Sequence, residues 1–106
     1  MRIEEVHTDS TGKIDYQLLE QKDVVGYFSF QFESSDTAKL CHLSMVQQRN
    51  PTDLLDILDH ILLFAKTLKI RLVIVETDHQ HLIPILQWVG FQADKNRSHT
   101  WGYLCG

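Results

Sequence analysis

Cysteine is scarce in this chain of 106 residues, with Cys41 inside an apolar stretch and Cys105 beside the C-terminus. Two such thiols form no disulfide framework and point to a reducing compartment. Proline (two) and glycine (five) are thinly spread, and no repeat, low-complexity tract or linker divides the sequence. One domain is expected. Positive charge is short as well: ten Lys+Arg against fourteen Asp+Glu leave a net charge of −4. A field of that sign repels nucleic-acid backbones and anionic lipid, so no nucleic-acid partner is expected. Long apolar runs are missing, the longest being residues 61–65, against the ~20 residues of a membrane span. The start, Met1-Arg2-Ile3-Glu4-Glu5, has no apolar leader core. The expectation is a cytoplasmic protein without a membrane partner.

What is present is the balance of one globular unit, 43% hydrophobic and 23% charged. A chain of this size buries somewhat over ~60% of its unfolded surface, enough for a core without metals or staples. The first half reads as strands over residues 3–6, 14–19, 24–32 and 38–46, separated by short polar turns and therefore paired antiparallel. Phe28, Phe30 and Phe32 alternate with Tyr27, Ser29, Gln31 and Glu33, so one face of that strand is buried.

At Asn50-Pro51-Thr52-Asp53 the period becomes helical, with Asn50 as cap, Pro51 at the first helical position and Asp53 in the first turn. Leu54, Leu58, Ile61, Ala65 and Leu68 mark the apolar stripe, which Leu55, Ile57, Leu62 and Phe64 widen. Leu72-Val73-Ile74-Val75 is an uninterrupted β-branched run, predicting a strand covered on both faces and parallel to an earlier one. A second helix is predicted over residues 82–89, with Pro84 in its first turn and Gly90 as its stop. Residues 91–93 and 100–104 remain as a terminal strand pair. The order is ββββαβαββ, an α+β domain with a mixed sheet.

Four pieces carry a resemblance to a known family. Val24-Val25-Gly26-Tyr27 and Leu43-Ser44-Met45-Val46 look like two of its strands. The helix from Pro51 with Leu72-Val73-Ile74-Val75 looks like its central helix and strand, and Ile85-Leu86-Gln87-Trp88-Val89-Gly90-Phe91 like its "lYeklGF" segment. The chain resembles the GNAT superfamily of acetyl-CoA-dependent N-acetyltransferases over residues 24–104, as a small member without the two helices that usually follow the first strand.

The resemblance implies a sheet that splays after its fourth strand, acetyl-CoA lying in the gap, and its pyrophosphate on backbone amides at the start of the following helix. It places cofactor contacts on Met45, Val46, Gln48, Arg49, Asn50 and Thr52. The family's R/Q-x-x-G-x-G/A loop falls on Arg49-Asn50-Pro51-Thr52-Asp53-Leu54, where only the arginine matches. Thr52 and Leu54 replace the glycines, Pro51 brings no N–H, and Asp53 and Asp56 bring negative charge to a phosphate site. The tyrosine that protonates the leaving thiolate in many members falls on Leu86, and a carboxylate used as base in some falls near Lys39.

Glu76 and Asp78 stand at the exit of the central strand, placed to receive an amine and its proton or to solvate a loop. His42, read on the same strand face as Leu40, Ser44 and Val46, is a base facing the cleft or an ordinary edge histidine. His79-x-His81 with Asp78 lacks the remaining ligands of a metal site, and none is expected. Cys41 is expected to be inert and Cys105 to lie exposed without a neighbouring base. Trp88, Trp101 and Tyr103 form a ligand platform or close a small core. Leu63, near the polar side of the long helix, marks a contact with a second copy or is an ordinary exposed leucine. Two functions follow: an acetyl-CoA-dependent N-acetyltransferase acting on a small-molecule or protein amine, with Glu76 or His42 as base, or a non-catalytic module binding a protein partner or small metabolite.

Overall fold

The computed structural model describes residues 1–46 and 51–105. In chain order these form β1 (Arg2–Thr8), β2 (Lys13–Glu20), β3 (Asp23–Phe32), β4 (Thr37–Met45), α1 (Pro51–Thr67), β5 (Leu72–Glu76), α2 (Ile83–Val89), β6 (Gln92–Ala93) and β7 (Thr100–Leu104). The strands make one sheet in the order β1-β2-β3-β4-β5-β7-β6. Only β4 and β5 run parallel, joined through α1, and the other neighbours are antiparallel. The α+β order expected from the sequence is the order found.

No helix separates β1 from β2. Asp9 makes that turn instead, its Oδ1 accepting from the Thr11 amide (2.8 Å), the Thr11 hydroxyl (2.6 Å) and the Lys13 amide (3.2 Å). These bonds, those from Thr11 first, hold its carboxyl below the usual value.

The core lies on one face of the sheet. Tyr16, Phe28, Phe30, Ala38, Leu40, Val73 and Val75 point to it, and Ile57, Leu58, Ile61, Leu62 and Ala65 of α1 with Leu86 of α2 fill it from above. Tyr16 stacks on Phe28 at 5.1 Å between ring centroids and meets Phe64 edge-on at 5.0 Å. Burying large aliphatic side chains at about 1.5–3 kcal/mol each makes α1 the anchor of the domain. Leu68 departs from the expected stripe: α1 stops at Thr67, Leu68 is exposed, and Ile70 is buried in its place. On the opposite face the Ser29 hydroxyl donates to Asp15 at 2.5 Å.

The Gly-Phe pair after α2 has a local reason. Gly90 sits at φ 119°, and its amide donates to the carbonyls of Leu86 (3.1 Å) and Gln87 (3.2 Å). Phe91 then donates to Leu86 (2.9 Å) and buries its ring. This closes the helix in the left-handed manner that glycine permits. Phe91 therefore lies before β6 rather than in it, and Leu82 caps α2 rather than opening it.

Candidate functional site

β4 and β5 pair through only three register positions, Thr37↔Leu72, Ala38↔Val73 and Lys39↔Ile74. Beyond them β4 continues to Met45 beside β3 alone, while Val75 and Glu76 pair with β7. The sheet opens between its two parallel strands, leaving one edge of β4 over residues 40–45 without a strand partner among the described residues.

A bulge in β4 accompanies the opening. Tyr27 faces Ser44 and Ser29 faces Cys41, so Phe28 stands opposite both His42 and Leu43. His42 takes φ 52°, a left-handed value that an ordinary strand residue avoids. A bulge bends its strand and raises the local twist, turning β4 away from a neighbour that has none. It also reverses the inside-outside phase: Ala38 and Leu40 face the core before it, and Leu43 and Met45 pack against the core after it. This corrects the expected face of His42, which is exposed with Ser44 and Val46 but does not share its side with Leu40. The sequence carries a signal for this, in apolar positions that step from 38 and 40 to 43 and 45.

Glu76, at the end of β5, is held by Lys39 at 3.2 Å. Lys39 is the last β4 residue in register with β5, and its ammonium leans over the point where the strands part. The same edge holds Cys41, partly buried, with its thiol pKa pushed up by burial and drawn down less strongly by Lys39. Cys105 is buried rather than exposed, because β7 brings it under α1's C-terminal turns, and burial pushes its thiol up too. Asp78 is exposed. His79 and His81 have ring centroids 5.4 Å apart, and among the described residues no group of three or more His, Cys, Asp or Glu is gathered for a metal.

Met45 ends β4 beside a cavity of about 350 Å³, lined also by Val25 and Ile57 and by the carboxylate residues Glu20, Asp23, Asp53 and Asp56. Neither lysine nor arginine is among the described residues lining it. Val46 is exposed just beyond, its amide donating to Val25 at 3.0 Å. Of the other expected cofactor contacts, Gln48, Arg49 and Asn50 lie outside the described residues, as does the side chain of Thr52. Leu86 is fully buried and has no proton to give. Trp101 and Tyr103 pack against the core, whereas Trp88 is 80% exposed and closes nothing. Glu20, Asp23 and the partnership of Lys39 with Glu76 escaped sequence reasoning, since each depends on strand register.

The sequence matches no protein-family model and no curated protein. Solved structures do match. A GNAT family acetyltransferase from Elizabethkingia anophelis, with acetyl-CoA bound, superposes with a TM-score of 0.73 at 12% identity, over 89% of this chain and 77% of that one. The chain has the GNAT fold. An acetyltransferase from Streptococcus agalactiae (TM-score 0.66, 16% identity, 92% and 70% of the two chains) agrees. So does the dodecameric spermidine N-acetyltransferase of Vibrio cholerae (0.72, 10%, 91% and 67%). No helix among the described residues is long and apolar enough to cross a membrane.

Acetyl-CoA has two ends, and the described residues suit them differently. The β4 edge offers amides and carbonyls to an extended, amide-bearing arm, as a sheet edge does to a peptide. The start of α1 offers a diphosphate no such welcome. Pro51 has no N–H, and Asp56, one turn on, lines the adjoining cavity with Glu20 and Asp23. The arm fits the described residues and the nucleotide end does not.

Proposed function

We propose that the chain is a GNAT-type N-acyltransferase that takes an acetyl thioester along the open edge of β4 and passes the acetyl group to an amine by direct attack. The observation that carries this is the opening itself, three paired positions followed by a bulge and an edge with no strand partner among the described residues. Met45 and Val46 flank the donor arm. Glu76 faces the amine and takes its proton, while His42 serves through its backbone, setting the bulge. With no tyrosine at residue 86, positioning of amine against thioester supplies most of the rate. The acceptor is a small-molecule or protein amine. The reading places the chain in a cytoplasmic setting where Cys41 and Cys105 stay free.

Calorimetry with acetyl-CoA, backed by thermal shift at millimolar ligand, tests the reading, because mass action reveals weak sites. Saturable binding with a raised Tm, followed by acetylation in an amine screen, is expected. No binding at that concentration overturns it. The second reading, a module that binds a protein or metabolite without transfer, is favoured by the carboxylates at the start of α1 and by Leu86. Absence of both acetyl-CoA binding and any acetylated amine, in a chain that still melts cooperatively, selects it.

A further inference from the structure

The vertex of the opening already holds an amine. Lys39 is opposite Ile74 at the last paired position, and Glu76 lies two residues further along β5 on the same face. Two residues of strand advance about 6.6 Å, so the Lys39 side chain must lean into the opening to bring its Nζ within 3.2 Å of the Glu76 carboxylate. The pair is partly open to solvent, with the Lys39 side chain 29% and that of Glu76 49% exposed. An ammonium fixed against a carboxylate beside an open strand edge is the arrangement an acceptor amine would otherwise have to assemble.

We infer that Lys39 is itself an acyl acceptor: the chain acetylates Lys39 from a thioester held on the β4 edge, with Glu76 taking the proton. This rests on the acyltransferase reading and deepens it by naming an acceptor. Glu76 removes one proton from the Lys39 ammonium. The freed amine attacks the thioester carbonyl carbon, a C–N bond forms, and the C–S bond breaks. The sulfur leaves as thiolate and receives the second proton of the amine, giving Nε-acetyl-lysine, a free thiol and protonated Glu76. The ammonium charge is gone, so the ion pair is lost and Glu76 is left open to a second amine. Among the other lysines, Lys13 stands 4.0 Å from Asp15 on β2, two strands from β4, and Lys22, Lys66, Lys69 and Lys95 are exposed. Lys39 alone has a register position at the vertex.

The full chain is incubated with acetyl-CoA and, separately, with S-acetyl-N-acetylcysteamine, a thioester that keeps the end of the arm and lacks the nucleotide. Peptide mass spectrometry then follows acetylation of each lysine, with a urea-unfolded sample as reference. Lys39 is expected to be labelled at least about tenfold faster than Lys22 or Lys66, by both donors, as a modest general-base contribution requires. Glu76→Gln, an isosteric change at an exposed position whose folding circular dichroism verifies, brings Lys39 down to the rate of the others. Labelling of Lys39 no faster than in the unfolded chain, or unchanged in Glu76→Gln, overturns the inference. If calorimetry then shows CoA binding and an added amine is acetylated, only self-acetylation has failed. If neither binding nor any acetylation occurs, the acyltransferase reading falls with it.

Discussion

At the scale of single residues, backbone closeness explains more of the site than side-chain chemistry does. Gly26 is required because an added Cβ would sit 2.9 Å from the Ser44 carbonyl and 3.3 Å from Leu18, just where β4 passes its bulge. Gly26→Ala should therefore push β3 from β4 and lower stability by about 1–3 kcal/mol, the scale of overpacking, in urea titration. A loss below a few tenths of a kcal/mol would mean that β4 yields freely. Asp56 works in the other direction. Its charge stands near the first turn of α1, and removing it with Asp56→Asn should tighten CoA binding by about two- to fivefold, from the ~0.3–1 kcal/mol of a charge at a helix end. Calorimetry on the variant decides, and an unchanged Kd would place the diphosphate elsewhere. Gly26, Gly90 and the acids Asp53 and Asp56 were readable in the sequence because each is a local statement about backbone space or charge.

At the scale of elements, every strand and helix had a local cause in the sequence, and what escaped was how they stand against each other. The alternation of Phe28, Phe30 and Phe32, the Pro51 start and the Gly90 stop each act within a few residues. The Lys39 and Glu76 partnership joins positions on two strands, and only the three-position pairing of β4 with β5 brings them together. The bulge lies between these cases. A strict period of two carried through residue 42 puts His42 on the wrong side, although the apolar step from Leu40 to Leu43 marks the slip. Since His42 is held at φ 52°, its two plausible roles separate by substitution. His42→Gly should keep the bulge, the fold and thioester binding, because glycine takes that conformation freely. His42→Val should lose about 1–2 kcal/mol of stability and weaken binding at the β4 edge, because a β-branched residue resists left-handed backbone. Thermal melts and calorimetry check both, and loss of transfer in His42→Gly with binding intact would make the imidazole the base instead of Glu76.

At the scale of the whole molecule, one sheet with both helices on a single face concentrates stability in one aromatic and aliphatic layer, and Tyr16 is where that layer meets titration. Its phenol pKa is pushed up to about 12 from 10.0, chiefly by burial and secondarily by the charge of Glu5. The sign follows from linkage. The unfolded chain releases this proton near pH 10 and the folded chain only near 12, so between those values the unfolded state binds fewer protons and stability falls as pH rises. The contribution is fully present below pH 10 and its loss approaches about 1.4 kcal/mol per pH unit inside the window. Tyr16→Phe keeps the ring against Phe28 and Phe64 and removes the group that titrates. Urea unfolding from pH 9 to 12 should show a shallower alkaline decline in the variant than in the parent chain. Identical slopes would mean that the phenol reaches water in the folded state, and that the layer beneath α1 is looser than the 5.1 Å stacking of Tyr16 on Phe28 requires.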